Sequence, residues 1–292
     1  MNAKRVDKIA TAIIYILSFL VVFVLGAFLL YIFVKGFRML SFNFIFGKSK
    51  TMQEGGGIGA QLFNSLYMLV VSLLITVPIG IGAGIYLAEY AKEGPIVRII
   101  RLSLETMSSL PSIVIGMFGM LIFVNMLNFG YSILAGALSV SILNIPSITR
   151  ISENAIKSAS KRVKEASLGL GATKWQTIKK ITIPVAMGEI LTGIILSAGR
   201  IFGEAAAFLY TAGLSTTALR FNNISLTGKS AFSLFRPAET LAVHIWKLNS
   251  EGIVPDAASI ANGSAVVLVI AVIIFNLLAR VLGKKLFKVH SK

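Results

Sequence analysis

Residues 165–184 read EASLGLGATKWQTIKKITIP, a polar and basic stretch set between two very apolar halves of the chain. Its register is Glu165-Ala166-Ser167, three residues, Gly171, nine residues, then Ile181-Thr182-Ile183-Pro184. The stretch predicts two short helices, 165–170 and 174–181, hinged at Gly169 and Gly171, because glycine supplies the left-handed backbone that a tight corner needs. A short helix presenting Ala166 and Leu168 can sit in a groove of a soluble partner. Rigid attachment through Pro184 would carry its displacement into the next helix. The bland alternative is a solvated basic loop.

Outward from this stretch the chain is built for lipid. Of its 292 residues, 55% are hydrophobic and 14% charged, with mean hydropathy +0.82, whereas soluble domains are about 25% charged. A spanning helix needs about 20 apolar residues, and four windows run that long without a charge: 9–34, 55–88, 106–149 and 257–279. The third holds 44 residues, enough for two spans, with a break at 125–130. A further apolar stretch, 185–219, is interrupted only by Glu189, Arg200 and Glu204. Six helices follow, at roughly 9–34, 62–88, 111–127, 131–151, 185–212 and 257–282. Residues 96–110 should lie at or below the inner interface, and 213–255 form a long polar outer segment. Pro78 predicts a kink in the second helix, and Gly80, Gly82 and Gly84 predict close approach of a neighbour. Phe19 and Phe23 should face lipid or pack.

A formal charge of +16 could suggest nucleic acid, but its placement argues for topology. Cytoplasmic loops collect Lys and Arg. With the N-terminus inside, 19 basic residues fall on the cytoplasmic side and 8 outside, Arg200 alone lying within a span. That split predicts six spans with both ends in the cytoplasm. The first apolar run, about 26 residues, exceeds the 7–15 of a signal-peptide core, so it reads as an uncleaved anchor. There is no cysteine, hence no disulfide framework and no thiolate metal site.

Arg200 and Glu204 stand four apart in an apolar stretch, a spacing that predicts a shared helix face. A central Arg or Glu costs at least about 2.5–3.5 kcal/mol in a membrane, and pairing reduces that cost. Glu189 lies eleven residues before Arg200, about three helical turns, on the same stripe. Such a stripe should face a water-filled cavity or a partner helix. One reading is a structural ion pair; the other is that Arg200 meets an oxyanion in passage, since its planar fork of donors suits phosphate. Other apparent motifs fail. Gly228-Lys229-Ser230 and Gly47-Lys48-Ser49 mimic the end of a P-loop, but Asn223 and Phe42 stand where it requires glycine. His244 and His290 have no companion at metal-ligand spacing, which leaves His244 as a solvent-exposed or interface residue.

The register of 165–184 resembles the loop by which membrane subunits of ABC importers grip their ATPase: Glu-Ala-Ala, three residues, Gly, nine residues, Ile-x-Leu-Pro. Ser167 replaces the usual Ala and Ile183 the usual Leu. Residues 199–213, GRIFGEAAAFLYTAG, look like the Arg-x-x-Gly-Glu-Thr-Ala segment of phosphate-importer permeases, with Ala205 where Thr is usual. Residues 56–90 and 108–118 are similar to further blocks of that family, and 235–246, FRPAETLAVHIW, fit the outer loop of the PstA type. The resemblance covers most of the chain from Gly56 onward, in family order.

What the resemblance implies is an all-α integral membrane protein with six transmembrane helices and the type I ABC importer permease fold. It implies an N-terminal anchor helix and outer loop over 1–60 and a transmembrane domain over 61–285. Within that domain fall a cytoplasmic coupling loop at 152–184 and an outer loop at 213–256, and a cytoplasmic tail occupies 286–292. The expected function is passage of inorganic phosphate in a bacterial inner membrane, with Arg200, Glu204 and Glu189 on the pathway. Glu165, Ala166, Ser167, Gly171, Ile181 and Pro184 would couple to the ATPase. The implied partners are a homologous second permease, two cytoplasmic ATPases and an extracytoplasmic phosphate-binding protein, with no nucleic acid. No cofactor is expected in this chain, ATP being bound by the ATPase, and no catalysis of its own. The alternatives are a permease for sulfate or molybdate, or an ion-coupled secondary transporter, against which the lack of an internal repeat argues.

Overall fold

The computed structural model describes residues 3–50, 54–159, 161–222, 224–228, 230–252 and 254–287. Asn223, Lys229 and the tail residues 288–292, His290 among them, lie outside the described residues. The described residues are helical or irregular, with no strand. Among the described residues, five helices are long and apolar enough to cross a membrane. A bent pair makes a sixth crossing when counted as one span.

The first, α1 (Ala3–Gly36), is the most apolar of the five, with no buried residue across its apolar centre. Phe19 and Phe23 stack with ring centroids 6.3 Å apart and remain mostly exposed. After the short α2 (Phe42–Phe46), α3 (Gly59–Ile85) runs through Pro78 and ends in a π-helical turn, Tyr86–Tyr90. The bent pair is α4 (Pro95–Ser109) and α5 (Ser112–Gly119, continued as a π-helical turn Met120–Met126), related by 100°. This bend lays α4 across the direction of α5, as its charges require. Residues 112–126 alone cover about 22 Å, short of a bilayer core of about 30 Å.

The central element is α6 (Ile133–Ser158), capped by Ser132, whose hydroxyl accepts from the Ala135 N–H at 3.2 Å. It is the most buried of the five long helices, yet carries several small polar residues inward. Ser139, Ser141 and Asn144 each donate to the carbonyl one turn back, at 2.8, 2.6 and 2.9 Å. Local bonds of this kind let polar groups enter an apolar core without remote partners. Against α6 lies α3, and the glycines explain how closely. A Cβ at Gly80 would come within 2.7 Å of Ile148, and one at Gly84 within 2.5 Å of Ser152. Gly82, expected in the same contact, faces open space.

Then come α7 (Lys161–Gly169), α8 (Lys174–Thr177), α9 (Ile183–Gly203), α10 (Ala206–Thr211), α11 (Leu241–Glu251) and α12 (Ala257–Phe287). Met68 and Leu69 of α3, Val140 of α6, Ala198 and Phe202 of α9 and Phe208 of α10 meet in one apolar cluster. Two expectations need correction. The fifth helix does not run through to Ala212: it breaks after Gly203, where Glu204 turns extended (φ −71°, ψ 126°). The segment 213–255 is not simply a polar outer loop, since it holds α11 and a set of buried charged side chains.

Candidate functional site

The coupling segment forms the expected corner, with one change. Gly171 adopts φ +84° and a Cβ there would meet nothing within 4 Å, whereas Gly169 closes α7 without a positive φ. The hinge is Gly171 alone. The Thr173 hydroxyl accepts from Gln176 N–H, and the Gln176 side chain accepts from Thr173 N–H at 2.8 Å, so a capping box starts α8. From α8 a π-helical turn, Ile178–Thr182, leads without a gap into α9. Pro184 is the second residue of α9 and lies inside the continuous helix 174–203, where its missing N–H removes one bond of the ladder just after the π-helical turn. Ile181 is half-buried above it. Glu165 and Ala166 are exposed, as are Leu168, Leu170 and Trp175. The hydroxyl of Ser167 lies 3.0 Å from that of Thr177, so this departure from the usual Ala ties α7 to α8.

Arg200 and Glu204 do not form the expected pair. The break after Gly203 takes Glu204 off the helix face, and its carboxylate accepts from the Ala207 N–H at 3.1 Å, capping α10. Arg200 is exposed and, among the described residues, makes no hydrogen bond or ion pair. It lines a cavity of about 530 Å³ with Arg101, Glu105, Arg150, Glu153 and Lys157. Four cationic side chains face two carboxylates there. Arg101 is committed: its guanidinium holds Glu93 at 2.9 Å and Glu153 at 2.8 Å, and it keeps the Glu93 carboxyl below the usual carboxylate range. Lys157 meets Glu153 at 2.7 Å, and Arg150 lies 3.8 Å from Glu105. Arg200 is thus the uncommitted guanidinium of this cavity. Glu189 is exposed on the same unbroken helix and does not line the cavity.

A second cluster at the other end of α3 was not foreseen. Arg236 donates to Asn64 Oδ1 at 2.8 Å and to the Ala231 carbonyl at 2.9 Å. Burial pushes its pKa down to about 10. Glu239 accepts from Gln61 at 3.0 Å and faces His244 Nδ1 at 3.1 Å, with Lys247 at 3.6 Å. Burial opposes ionisation of Glu239, but His244, Lys247 and Gln61 together outweigh it and hold the carboxyl below its ordinary range. His244 is therefore buried on a carboxylate rather than exposed. Gln61, Glu239, His244 and Lys247 border a cavity of about 370 Å³. The available signal was the Glu239-Thr240 pair, a buried charge beside a helix cap, five residues before a histidine.

The chain matches the family described as binding-protein-dependent transport system inner membrane component over residues 80–288. It belongs to that family. A probable ABC transporter permease, YqgI of Bacillus subtilis (strain 168), is 49% identical over 289 residues, covering 99% of this chain and 98% of its own. The phosphate transport system permease PstA of Pasteurella multocida (strain Pm70) is 33% identical over 279 residues, 94% of each chain. Among solved structures, the inward-facing MetNI methionine ABC transporter is similar at TM-score 0.59 and 19% identity, over 78% of this chain and 94% of that one. A bacterial alginate ABC transporter is similar at TM-score 0.64 and 16% identity, over 97% and 94%. This permease has the type I importer fold, as a multi-pass inner-membrane subunit of an ABC importer. ABC importer permeases pair with ATPase and binding-protein subunits. Family membership sets aside the ion-coupled carrier.

Proposed function

We propose that this permease conducts inorganic phosphate as the PstA-type subunit of an ATP-driven importer. The observation that carries the reading is Arg200, an uncommitted guanidinium on a cavity where cations outnumber carboxylates. Relatives of 33% identity named for phosphate transport support the same anion. A planar fork of donors binds a tetrahedral oxyanion through two bonds at once. Arg200 contacts the anion, the Glu204 carboxylate holds the helix break that shapes the route, and Glu189 marks the same stripe of α9 toward the coupling segment.

Residues 165–184 face the cytoplasm in this reading, with both termini. Leu168, Leu170 and Trp175 enter a groove of the ATPase, while Glu165, Ala166, Ser167 and Gly171 set the corner. Ile181 and Pro184 fix the segment to α9. The subunit pairs with a second, homologous permease above two ATPases and receives phosphate from an extracytoplasmic binding protein. ATP is bound and hydrolysed by the ATPases alone. The test is uptake into vesicles holding the whole complex. ATP should drive accumulation of labelled phosphate, and a hundredfold excess of sulfate or molybdate should leave it unchanged. Accumulation of sulfate or molybdate in place of phosphate would overturn the assignment.

A further inference from the structure

Glu89 lies at the end of α3, in its π-helical turn, and its side chain is 2% exposed. The Lys164 ammonium bridges both of its carboxylate oxygens, at 2.5 and 2.6 Å. Lys174 donates to the backbone carbonyl of the same residue and lies 4.8 Å from the centre of the Tyr90 ring. Helix ends leave carbonyls without intrahelical donors, and Lys174 fills that vacancy. Lys164 belongs to α7 and Lys174 to α8, on opposite sides of the Gly171 hinge. Both arms of the coupling segment are therefore fastened to one residue of another helix. A buried carboxylate cannot release its ammonium cheaply, because the uncompensated charge costs more than the pair gains. The arms cannot move far without carrying α3.

The opposite end of α3 is fastened too. Gln61 donates to Glu239, and the Ser65 hydroxyl accepts from the Leu241 N–H at 2.8 Å. From Gly59 to Tyr90 the helix spans about 48 Å.

We propose that Glu89 is a positioning residue of the transport cycle: it locks the coupling segment to α3, so that α3 as well as α9 carries the ATPase's motion to the outer cavity. The inference rests on the reading of 165–184 as the ATPase contact. The chain has no native cysteine, so Ser215→Cys, on the wall of that outer cavity, gives a single site for an impermeant thiol reagent. In the assembled complex in vesicles, ATP should change its labelling rate at least threefold. Glu89→Gln and Lys164→Gln should abolish that change while retaining the ATPase, and should raise the ATP hydrolysed per phosphate moved at least tenfold. Lys164→Arg should keep both. Unchanged labelling response and unchanged ATP per phosphate in the two Gln variants would overturn the proposal, even where yield falls. If Glu89→Gln does not assemble, Lys164→Gln, whose side chain is 30% exposed, decides alone. Gly171→Asp separates the two readings. If the ATPase stays bound to it, the coupling assignment falls and takes this proposal with it. If the ATPase is released while the Gln variants behave as wild type, only the role of Glu89 falls.

Discussion

The two ends of the helical bundle use the same residue types to opposite effect. In the proposed orientation Arg236 and Glu239, at the outer end, are nearly fully buried, and each is tied to side chains from remote parts of the chain. Arg101, Arg150 and Arg200, at the inner end, line a cavity with side chains about one-third exposed or more, and Arg200 is bonded to nothing described. Charges in a low-dielectric site resist separation, whereas exposed ones rearrange at little cost. The outer cluster is thus a fixed joint and the inner one a wettable surface whose charges can exchange partners.

The comparison can be broken at several points. The largest effect should come from Glu239→Ala, which takes the carboxylate from Gln61 and His244 in a buried site and should cost about 3–5 kcal/mol. It should appear as a large fall in the thermal midpoint or loss of assembled complex. A variant that assembles with an unchanged midpoint would mean the outer end is not a fixed joint. Arg200→Ala should lower phosphate uptake at least a hundredfold, about 2.7 kcal/mol of barrier, while thermal stability stays within about 0.5 kcal/mol. Loss of stability in proportion to uptake would show a structural residue instead. At the inner network, Glu153→Gln should cost only about 1 kcal/mol, because solvent screens its partners, and calorimetry of the purified complex can measure it. The smallest effect is a pH dependence. The folded Glu239 carboxyl lies below its ordinary value of about 4.3. Its contribution is complete above that value and is lost as pH falls through the folded value. The difference in midpoint between wild type and Glu239→Gln should shrink as pH falls below about 4. A difference that is constant into acid would argue against an ionised Glu239.

The corner at Gly171 and the long spans could be read from the chain, since each depends on local composition or register. The break at Glu204 could not. Ala205, Ala206 and Ala207 are strong helix formers, so propensity favours continuation. What wins is tertiary packing: α10 swings onto α5, where a Cβ at Gly116 would come within 2.8 Å of Ala207 Cα. The i, i+4 argument for Arg200 and Glu204 assumed a helix that packing interrupts. The burial of His244 was hidden for a related reason. Its network joins Gln61 to Glu239, 178 residues apart, and no window of sequence contains both. Gly82 shows the finer limit: three glycines two apart announce a contact, but only the face carrying Gly80 and Gly84 meets α6.

That contact has a mechanical consequence. Two helices packed so closely that no Cβ fits at Gly80 or Gly84 behave as one beam, because a packed interface leaves little room for either to bend alone. With α3 and α6 joined in this way, elastic compliance in the subunit concentrates where the backbone is interrupted: the corner between α4 and α5, and the step between α9 and α10. A load applied at the inner end is delivered with little loss along the beam and is spent at those two joints, close to Ser108 and Arg200 of the inner cavity wall.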